Sequence, residues 1–158
     1  MEQLTAEGTA TSSIAIAASP DAVYDLVADV SRMGEWSPEA TGTIGHPSEL
    51  KAGDKFWGLN RKGVFRWFTR CTVLAAVPGR RFEFDVDFGP SPISRWTYEF
   101  TAAPDGCEVT ETWVDRRRGA LAAPMKWAGG VMIPGPRGSH NLRNIETTLQ
   151  RLKAAAEK

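Results

Sequence analysis

The chain has 158 residues, 42% of them hydrophobic, which is enough to bury one core of ordinary domain size. Its 19 Lys and Arg residues balance 19 Asp and Glu residues, so there is no overall basic excess for binding nucleic acid or coating an anionic membrane. The chain starts without a cationic segment followed by an apolar run, and it lacks the apolar stretch of about 20 residues that spans a bilayer. We therefore expect a cytoplasmic protein without stable membrane insertion.

The N-terminal part predicts one strand followed by two short helices. Residues 1–8 are small and polar and are expected to form a flexible N-terminus, which places the folded domain at 9–158. After the first strand, Ser19 and Pro20 favour a helix start, because serine caps the first turn and proline is tolerated within it. A second, shorter helical turn is expected near Trp36.

The middle of the chain alternates between apolar and polar residues, as is typical of strands with one buried face. The aromatic side chains of Phe82 and Phe84 alternate with carboxylates, and Trp96, Tyr98 and Phe100 repeat the pattern. Short turns rich in Gly, Pro and Asp connect the candidate strands, so we predict an antiparallel meander. With the first strand at 9–17, the predicted strands are 41–46, 55–60, 64–76, 81–88, 93–101 and 108–115.

The last 20 residues return to helical spacing, with Leu142, Ile145 and Leu149 on one stripe. Strands, two short helices and a long final helix predict one α+β domain. The preceding basic run, Arg116–Arg118, is expected to be a solvated strand end. The segment 119–138 is interpreted either as a mobile lid over a cavity or as a fixed packing segment.

Five segments carry a family resemblance. They are residues 19–38, 78–82, 96–98, 106–113 and 148–153. In these segments the chain resembles the START-like (SRPBCC) superfamily, in particular its bacterial polyketide cyclase/dehydrase branch. The resemblance implies a helix-grip fold, in which a curved antiparallel sheet of about seven strands wraps around the C-terminal helix with an apolar cavity between them. Because this superfamily includes carriers, receptors, cyclases and chaperone activators, it implies a cavity rather than one reaction.

The dry sheet face, the final helix and the turn near Trp36 are predicted to wall this cavity. Large rings and aliphatic side chains there would either stack on a flat hydrophobic ligand or fill the core. The candidate ligand-binding residues are Trp36, Trp67, Phe82, Phe84, Trp96, Tyr98, Phe100, Trp113, Trp127, Leu142, Ile145 and Leu149. Among them Tyr98 is a candidate polar contact through its hydroxyl group.

Glu111 is the most informative polar residue, because strand parity places it on the inward face with Trp113. Burial of an unpaired carboxyl group raises its pKa, which suits a general acid or base beside a ligand carbonyl. Three interpretations stay open: a catalytic residue, a ligand-orienting residue, and a surface or ion-paired residue. An ion-pair partner would be Arg66, Arg70 or Arg95.

No cofactor or metal is predicted. Both histidines, His46 and His140, lack a second ligand at metal-binding spacing and are expected to cap an element or lie at the surface. Cys71 and Cys107 lie in strand patterns and are expected to be small core residues. Asn60 precedes a turn and is interpreted as a turn residue rather than a ligand contact.

The leading hypothesis is that a monomer or homodimer binds a hydrophobic small molecule, lipid-like or aromatic polyketide-like, in the cavity. A second hypothesis is a cofactor-independent enzyme, a cyclase/dehydratase or isomerase that uses Glu111 as a general acid or base. A third is a protein-interaction module of the chaperone-activator type, which would use an exposed apolar patch.

Overall fold

The computed structural model describes residues 4–6, 8–117 and 137–158. Within these residues the elements are β1 (Leu4–Ala6), β2 (Thr9–Ile16), α1 (Pro20–Ala28), a 3-10 helix (Val30–Glu35), β3 (Ala40–Ile44), β4 (Lys55–Lys62), β5 (Phe65–Val77), β6 (Arg81–Phe88), β7 (Ser91–Ala103), β8 (Gly106–Asp115) and α2 (Arg137–Ala156).

The strands form one antiparallel sheet in the order β1-β2-β8-β7-β6-β5-β4-β3. From β3 to β8 each strand pairs with the next one along the chain, whereas β2 returns to pair with β8. Seven strands, two short helices and the long final helix confirm the predicted helix-grip α+β fold. An eighth strand, Leu4–Ala6, lies inside the expected flexible N-terminus and pairs with β2.

The helix start after β2 is confirmed. Ser19 accepts a hydrogen bond from the backbone N–H of Ala22 at 3.1 Å, and Pro20 is the first helical residue. The 3-10 helix then leads to Trp36, which is 2% exposed. Both short helices therefore contribute buried apolar side chains to the core.

The concave face of the sheet packs against α1 and α2. The predicted stripe of α2 is buried there, with Ile145, Leu149 and Leu152 at most 1% exposed. From the sheet side, Phe82 and Phe100 contact the ring of Tyr24 edge-on, at centroid distances of 6.2 and 5.6 Å. The core thus fills the α1 end of the sheet with interlocking rings.

Two parts of the alternation pattern differ from the prediction. Phe88 shares the parity of Phe82 but is 44% exposed, because the ladder shifts register between Val86 and Asp87 and the strand ends at the β6–β7 turn. On β5, Trp67, Thr69, Cys71 and Val73 are the inward positions. Phe65 has the same parity as these residues but is 46% exposed, since it adjoins the β4–β5 turn.

The basic run Arg116–Arg118 was expected to be solvated, and that expectation is wrong for its first two residues. Arg116 lies 3.5 Å from a carboxylate oxygen of Asp85, and Arg117 lies 2.6 Å from Asp115. The Arg117 side chain is only 5% exposed. Both arginines are therefore paired with carboxylates near the end of β8. Arg118 and residues 119–136, most of the segment interpreted as a lid or a packing segment, lie outside the described residues.

Candidate functional site

A cavity of about 120 Å³ lies between the inner face of β3 to β8, the 3-10 helix and the first half of α2. One water needs roughly 10–15 Å³ on this scale, so the cavity admits a larger group. Several predicted wall residues line it: Trp67, Phe84, Trp96, Tyr98, Glu111 and Trp113. Their role in binding stays a prediction.

The other predicted wall residues do not line this cavity. They pack around it as core, and all except the half-buried Leu142 are buried: Trp36, Phe82, Phe100, Leu142, Ile145 and Leu149. Arg32 stacks over the Trp36 ring, with 5.3 Å between the guanidinium carbon and the ring centroid. Trp127 lies outside the described residues. Strand parity and helical spacing predict which side chains turn inward, but they do not separate the cavity wall from solid core.

Glu111 points inward, as strand parity predicts, and is 1% exposed. It lies in a row across three strands, opposite Ser12 on β2 and Tyr98 on β7. The Tyr98 hydroxyl donates a hydrogen bond of 2.7 Å to Oε1 of Glu111. The other carboxyl oxygen, Oε2, has no partner among the described residues. Glu111 is thus a buried carboxyl group with half of its hydrogen-bonding capacity unused.

The predicted ion pairs of Glu111 are not observed. Arg66 and Arg70 are exposed on the outer side of β5. Arg95 points to the outer face as well, where its Nε donates to Asp85 at 2.7 Å. Of the three interpretations of Glu111, the structure excludes a surface location and a pair with these arginines.

Burial raises the pKa of Glu111 from 4.5 to about 8, and the hydrogen bond from Tyr98 offsets only part of that rise. Burial and the neighbouring carboxyl group also raise the pKa of Tyr98 well above its usual range. None of the described residues that line the cavity is Lys or Arg. Glu111 is therefore mainly protonated at neutral pH, and its Oε2 can still form a hydrogen bond that Tyr98 does not supply.

Asn141 is a cavity residue that the sequence interpretation missed. It lies on α2, is 1% exposed and lines the cavity, and neither atom of its amide group has a partner among the described residues. A signal was present, because Asn141 stands four residues before Ile145 on the inward stripe of the helix. An amide at that position offers a ligand both a donor and an acceptor.

Two further polar residues have clearer positions than the sequence indicated. Asn60 is not a turn residue but part of β4, where it lines the cavity. His140 is neither a cap nor a free surface residue. Its Nε2 lies 3.1 Å from a carboxylate oxygen of Glu39 and 3.2 Å from the Asn144 amide nitrogen, which ties the start of α2 to the segment before β3.

The cysteines are buried and free, as predicted. Burial raises the pKa of Cys71 to about 12 and also raises the pKa of Cys107, so both thiols stay protonated and weakly nucleophilic at neutral pH. Within the described ranges, no group of three or more His, Cys, Asp or Glu side chains is arranged to hold a metal ion. No described helix is long and apolar enough to cross a membrane.

A second, more open depression of about 450 Å³ lies between β2 and α2. No aromatic ring is among its described lining residues, and its α2 side includes the exposed Gln150 and Arg151. The first cavity, which is lined by aromatic rings and by the unpaired polar atoms of both Glu111 and Asn141, is the better candidate for a site.

Comparisons with known proteins agree with this architecture. The structure resembles a polyketide-cyclase-like protein of Corynebacterium glutamicum, with 29% identity and a TM-score of 0.65 over 93% of this chain and 90% of that one. It also resembles a protein of Mycobacterium smegmatis, with 15% identity and a TM-score of 0.66 over 98% and 96% of the two chains.

A third similar structure is the di-domain ARO/CYC StfQ from the steffimycin biosynthetic pathway, with 13% identity and a TM-score of 0.68. The match covers 95% of this chain and 50% of that one. A search of curated proteins gave no match. A family model for polyketide cyclase / dehydrase and lipid transport proteins matches residues 7–157, and the chain therefore belongs to that family.

Proposed function

We propose that the protein binds an apolar small molecule, lipid-like or aromatic polyketide-like, whose polar group reaches Glu111 and Asn141. The observation that carries this proposal is one cavity lined by both residues, each 1% exposed and each with unpartnered polar atoms among the described residues. Buried polar atoms are nearly always hydrogen-bonded in folded proteins, so unpaired atoms facing a cavity indicate a place for a ligand group. The family description, which includes lipid transport, supports the same reading.

The chemistry of the wall defines the ligand further. Trp67, Trp96 and Trp113 provide flat apolar surfaces for ring or chain carbons. The protonated Glu111 donates to a carbonyl or hydroxyl oxygen, and the Asn141 amide both donates and accepts. The described wall has no cation to offset an anionic group. We therefore expect a neutral ligand to bind more tightly than its carboxylate analogue.

The experiment is native mass spectrometry of gently purified protein, followed by denaturation and identification of any released molecule. Binding of an added anthraquinone, of hexadecanol and of palmitate is then measured by quenching of tryptophan fluorescence. We expect saturable binding of the anthraquinone or of hexadecanol, with palmitate at least about tenfold weaker, since a buried unpaired charge costs more than about 1.4 kcal/mol.

Glu111→Gln and Asn141→Leu are the variants of the site, and Glu108→Gln is the matched control, because Glu108 is exposed on the same strand. The site variants are expected to weaken binding while the control leaves it unchanged. A protein that is purified empty, and that binds none of these probes, overturns the proposal and favours the interaction-module hypothesis.

One observation favours a second function, a cyclase or dehydratase. A carboxyl group with a pKa of about 8, buried beside a cavity, is suited to transferring a proton near neutral pH. Under this hypothesis Glu111 protonates a carbonyl or departing hydroxyl oxygen of the folded substrate. Turnover would then fall as the pH rises through about 8, and Glu111→Gln would abolish turnover while the substrate still binds.

A further inference from the structure

The β4–β5 hairpin carries exposed apolar side chains at and near its turn. Val64 is 90% exposed and Phe65 is 46% exposed, and behind them Trp57 and Phe68 are 41% and 59% exposed. The Trp57 and Phe68 rings contact each other at a centroid distance of 5.6 Å. We call these four residues the hairpin patch. An exposed group of apolar side chains such as this hairpin patch typically marks a surface that binds another apolar surface.

The turn itself holds Val64 outward. Gly63 has a φ of 60° and no non-glycine residue described has a positive φ, which fits Gly63 and Val64 as the centre of a type II′ turn between Lys62 and Phe65. The tight turn leaves Val64 no packing partner on the sheet. The most exposed large hydrophobic side chain among the described residues is thus fixed at the outermost point of a long hairpin.

The same hairpin segregates positive charge. Residues 55–70 contain five Lys or Arg and no Asp or Glu, although the whole chain has a formal net charge of zero. The cations are Lys55, Arg61, Lys62, Arg66 and Arg70. The balanced total that argued against an anionic partner therefore hides a local excess.

These cations have no ion-pair partner in the part of the chain that the structure describes. None of the five has a carboxylate within 4.0 Å among the described residues, whereas the arginines of the neighbouring strands, such as Arg81 and Arg95, are ion-paired. Arg61 and Arg66 even lie directly opposite each other in the ladder. Like charges in that position destabilise a sheet, so an external anion between them would relieve the repulsion.

The order of these groups along the hairpin indicates which anion. Val64 lies at the turn, Phe65 and Lys62 are paired next to it, and the opposed pair Arg61 and Arg66 follows directly behind them. A bilayer presents the same sequence of environments, apolar acyl chains beneath a layer of phosphates. A nucleic acid would meet the cations with its phosphates but would leave the outermost apolar side chains without a matching surface.

We propose that the β4–β5 hairpin docks on an anionic lipid bilayer, with Val64 and Phe65 entering the acyl boundary and the flanking cations contacting lipid phosphates. The proposal goes beyond ligand binding but has a consequence for it. Asn60 and Trp67, which pair with each other and line the cavity, lie just behind Arg61 and Arg66. Docking therefore holds this end of the cavity close to the membrane, where apolar molecules reside.

The test is co-sedimentation of the purified full chain with vesicles of phosphatidylcholine, with and without an equal part of phosphatidylglycerol. We expect binding to the anionic vesicles at low salt, little binding to the neutral ones, and loss of binding at about 0.5 M salt. The double variant Val64→Ser/Phe65→Ser should weaken binding by at least about tenfold, because it removes the apolar contact. Arg61→Gln/Arg66→Gln should also weaken binding, and should reduce its salt dependence.

Matched controls are Phe88→Ser, an exposed phenylalanine at another hairpin, and Arg143→Gln on the exposed face of α2. Both should bind as the wild type does, and circular dichroism should show every variant folded. Two results overturn the proposal. One is that the wild type does not bind anionic vesicles at low salt, and the other is that Val64→Ser/Phe65→Ser binds them with the wild-type affinity. A third contradicting result is that a short DNA duplex displaces the protein from vesicles and that Val64→Ser/Phe65→Ser still binds this duplex with full affinity. The basic hairpin would then bind nucleic acid instead. Each of these results leaves the anthraquinone and hexadecanol titrations unaffected, so the two proposals fail separately.

Discussion

Two carboxyl groups on opposite faces of the sheet show how differently the same fold treats buried acids. Asp85 on the outer face is 8% exposed, and it accepts two hydrogen bonds from Arg95, at 2.7 and 3.0 Å. Arg116 also lies near Asp85, with its Nη2 atom 3.5 Å from the carboxylate oxygen Oδ2. Glu111 on the inner face is 1% exposed and accepts one hydrogen bond, from Tyr98. Two guanidinium groups lie beside Asp85, whereas Glu111 has no cation beside it among the described cavity residues and burial raises its pKa. The first arrangement stabilises a structure, and the second leaves a group ready to contact a ligand.

The largest expected effect is the pH dependence of the free energy of unfolding that Glu111 causes. Its folded-state pKa of about 8 lies above the ordinary value of 4.5, so the folded protein holds a proton that the unfolded chain releases between those pH values. The free energy of unfolding therefore falls as the pH rises through this window, by on the order of 5 kcal/mol relative to Glu111→Gln. Urea denaturation of both proteins from pH 4 to 9 measures the difference. A difference that does not change with pH would contradict the neutral state of Glu111.

Tyr98→Phe tests the only described partner of Glu111. We expect a loss of about 1–3 kcal/mol in the free energy of unfolding, because one buried hydrogen bond disappears. The loss should be larger above pH 8 than below it, since the charged carboxylate needs the donor more. Tyr24→Phe is the control, as Tyr24 is 5% exposed like Tyr98 but does not contact Glu111. Equal pH dependence in both variants would count against the pair.

Asn141→Leu tests whether unpaired polarity is maintained for ligand binding. Replacing a buried amide that has no described partner should raise the free energy of unfolding by about 1 kcal/mol. The same variant should bind the anthraquinone or hexadecanol less tightly. Thermal melting and fluorescence titration give the two readouts. A destabilised variant with unchanged affinity would show that the amide serves the fold instead.

The smallest effect belongs to the outer face. Arg95→Ala should lower the free energy of unfolding by about 0.5 kcal/mol, because the Arg95 side chain is 42% exposed and solvent screens its pair with Asp85. High salt should reduce the difference further. Arg143→Ala, on the exposed face of α2, controls for the loss of a surface arginine. A loss of several kcal/mol in Arg95→Ala would mean that the outer pair is as critical as the inner one.

Periodicity predicted the α+β class, the antiparallel meander and the inward direction of Glu111, because alternation in β8 and the stripe of α2 are local properties of the sequence. The helix-grip arrangement was implied by the family resemblance. Periodicity did not predict which side chains form ion pairs. The contact of Arg95 with Asp85 depends on the register between β6 and β7, and that register shifts near the end of the ladder. Local pattern carries direction, whereas register requires the assembled sheet.

The site was less predictable for a second reason. Whether an inward side chain lines a cavity or fills a core depends on the volumes of all its neighbours, which no single segment encodes. Phe82 and Phe84 look equivalent in the sequence, yet only Phe84 lines the cavity. Asn141 was missed because an isolated polar residue near a helix start resembles a capping residue.

The pairing of β2 with β8 has a consequence for the order of folding. The strands from β3 to β8 can pair one after another through local hairpins, at little entropic cost. In contrast, β2 places Thr9 opposite Val114, so it can join only when the last strand has formed. The end of α2 contacts β2, where the Lys153 amine donates to the Ala15 carbonyl at 2.9 Å. Because α2 forms one side of the cavity, a chain still being synthesised exposes the aromatic side chains of the sheet until the final helix is available.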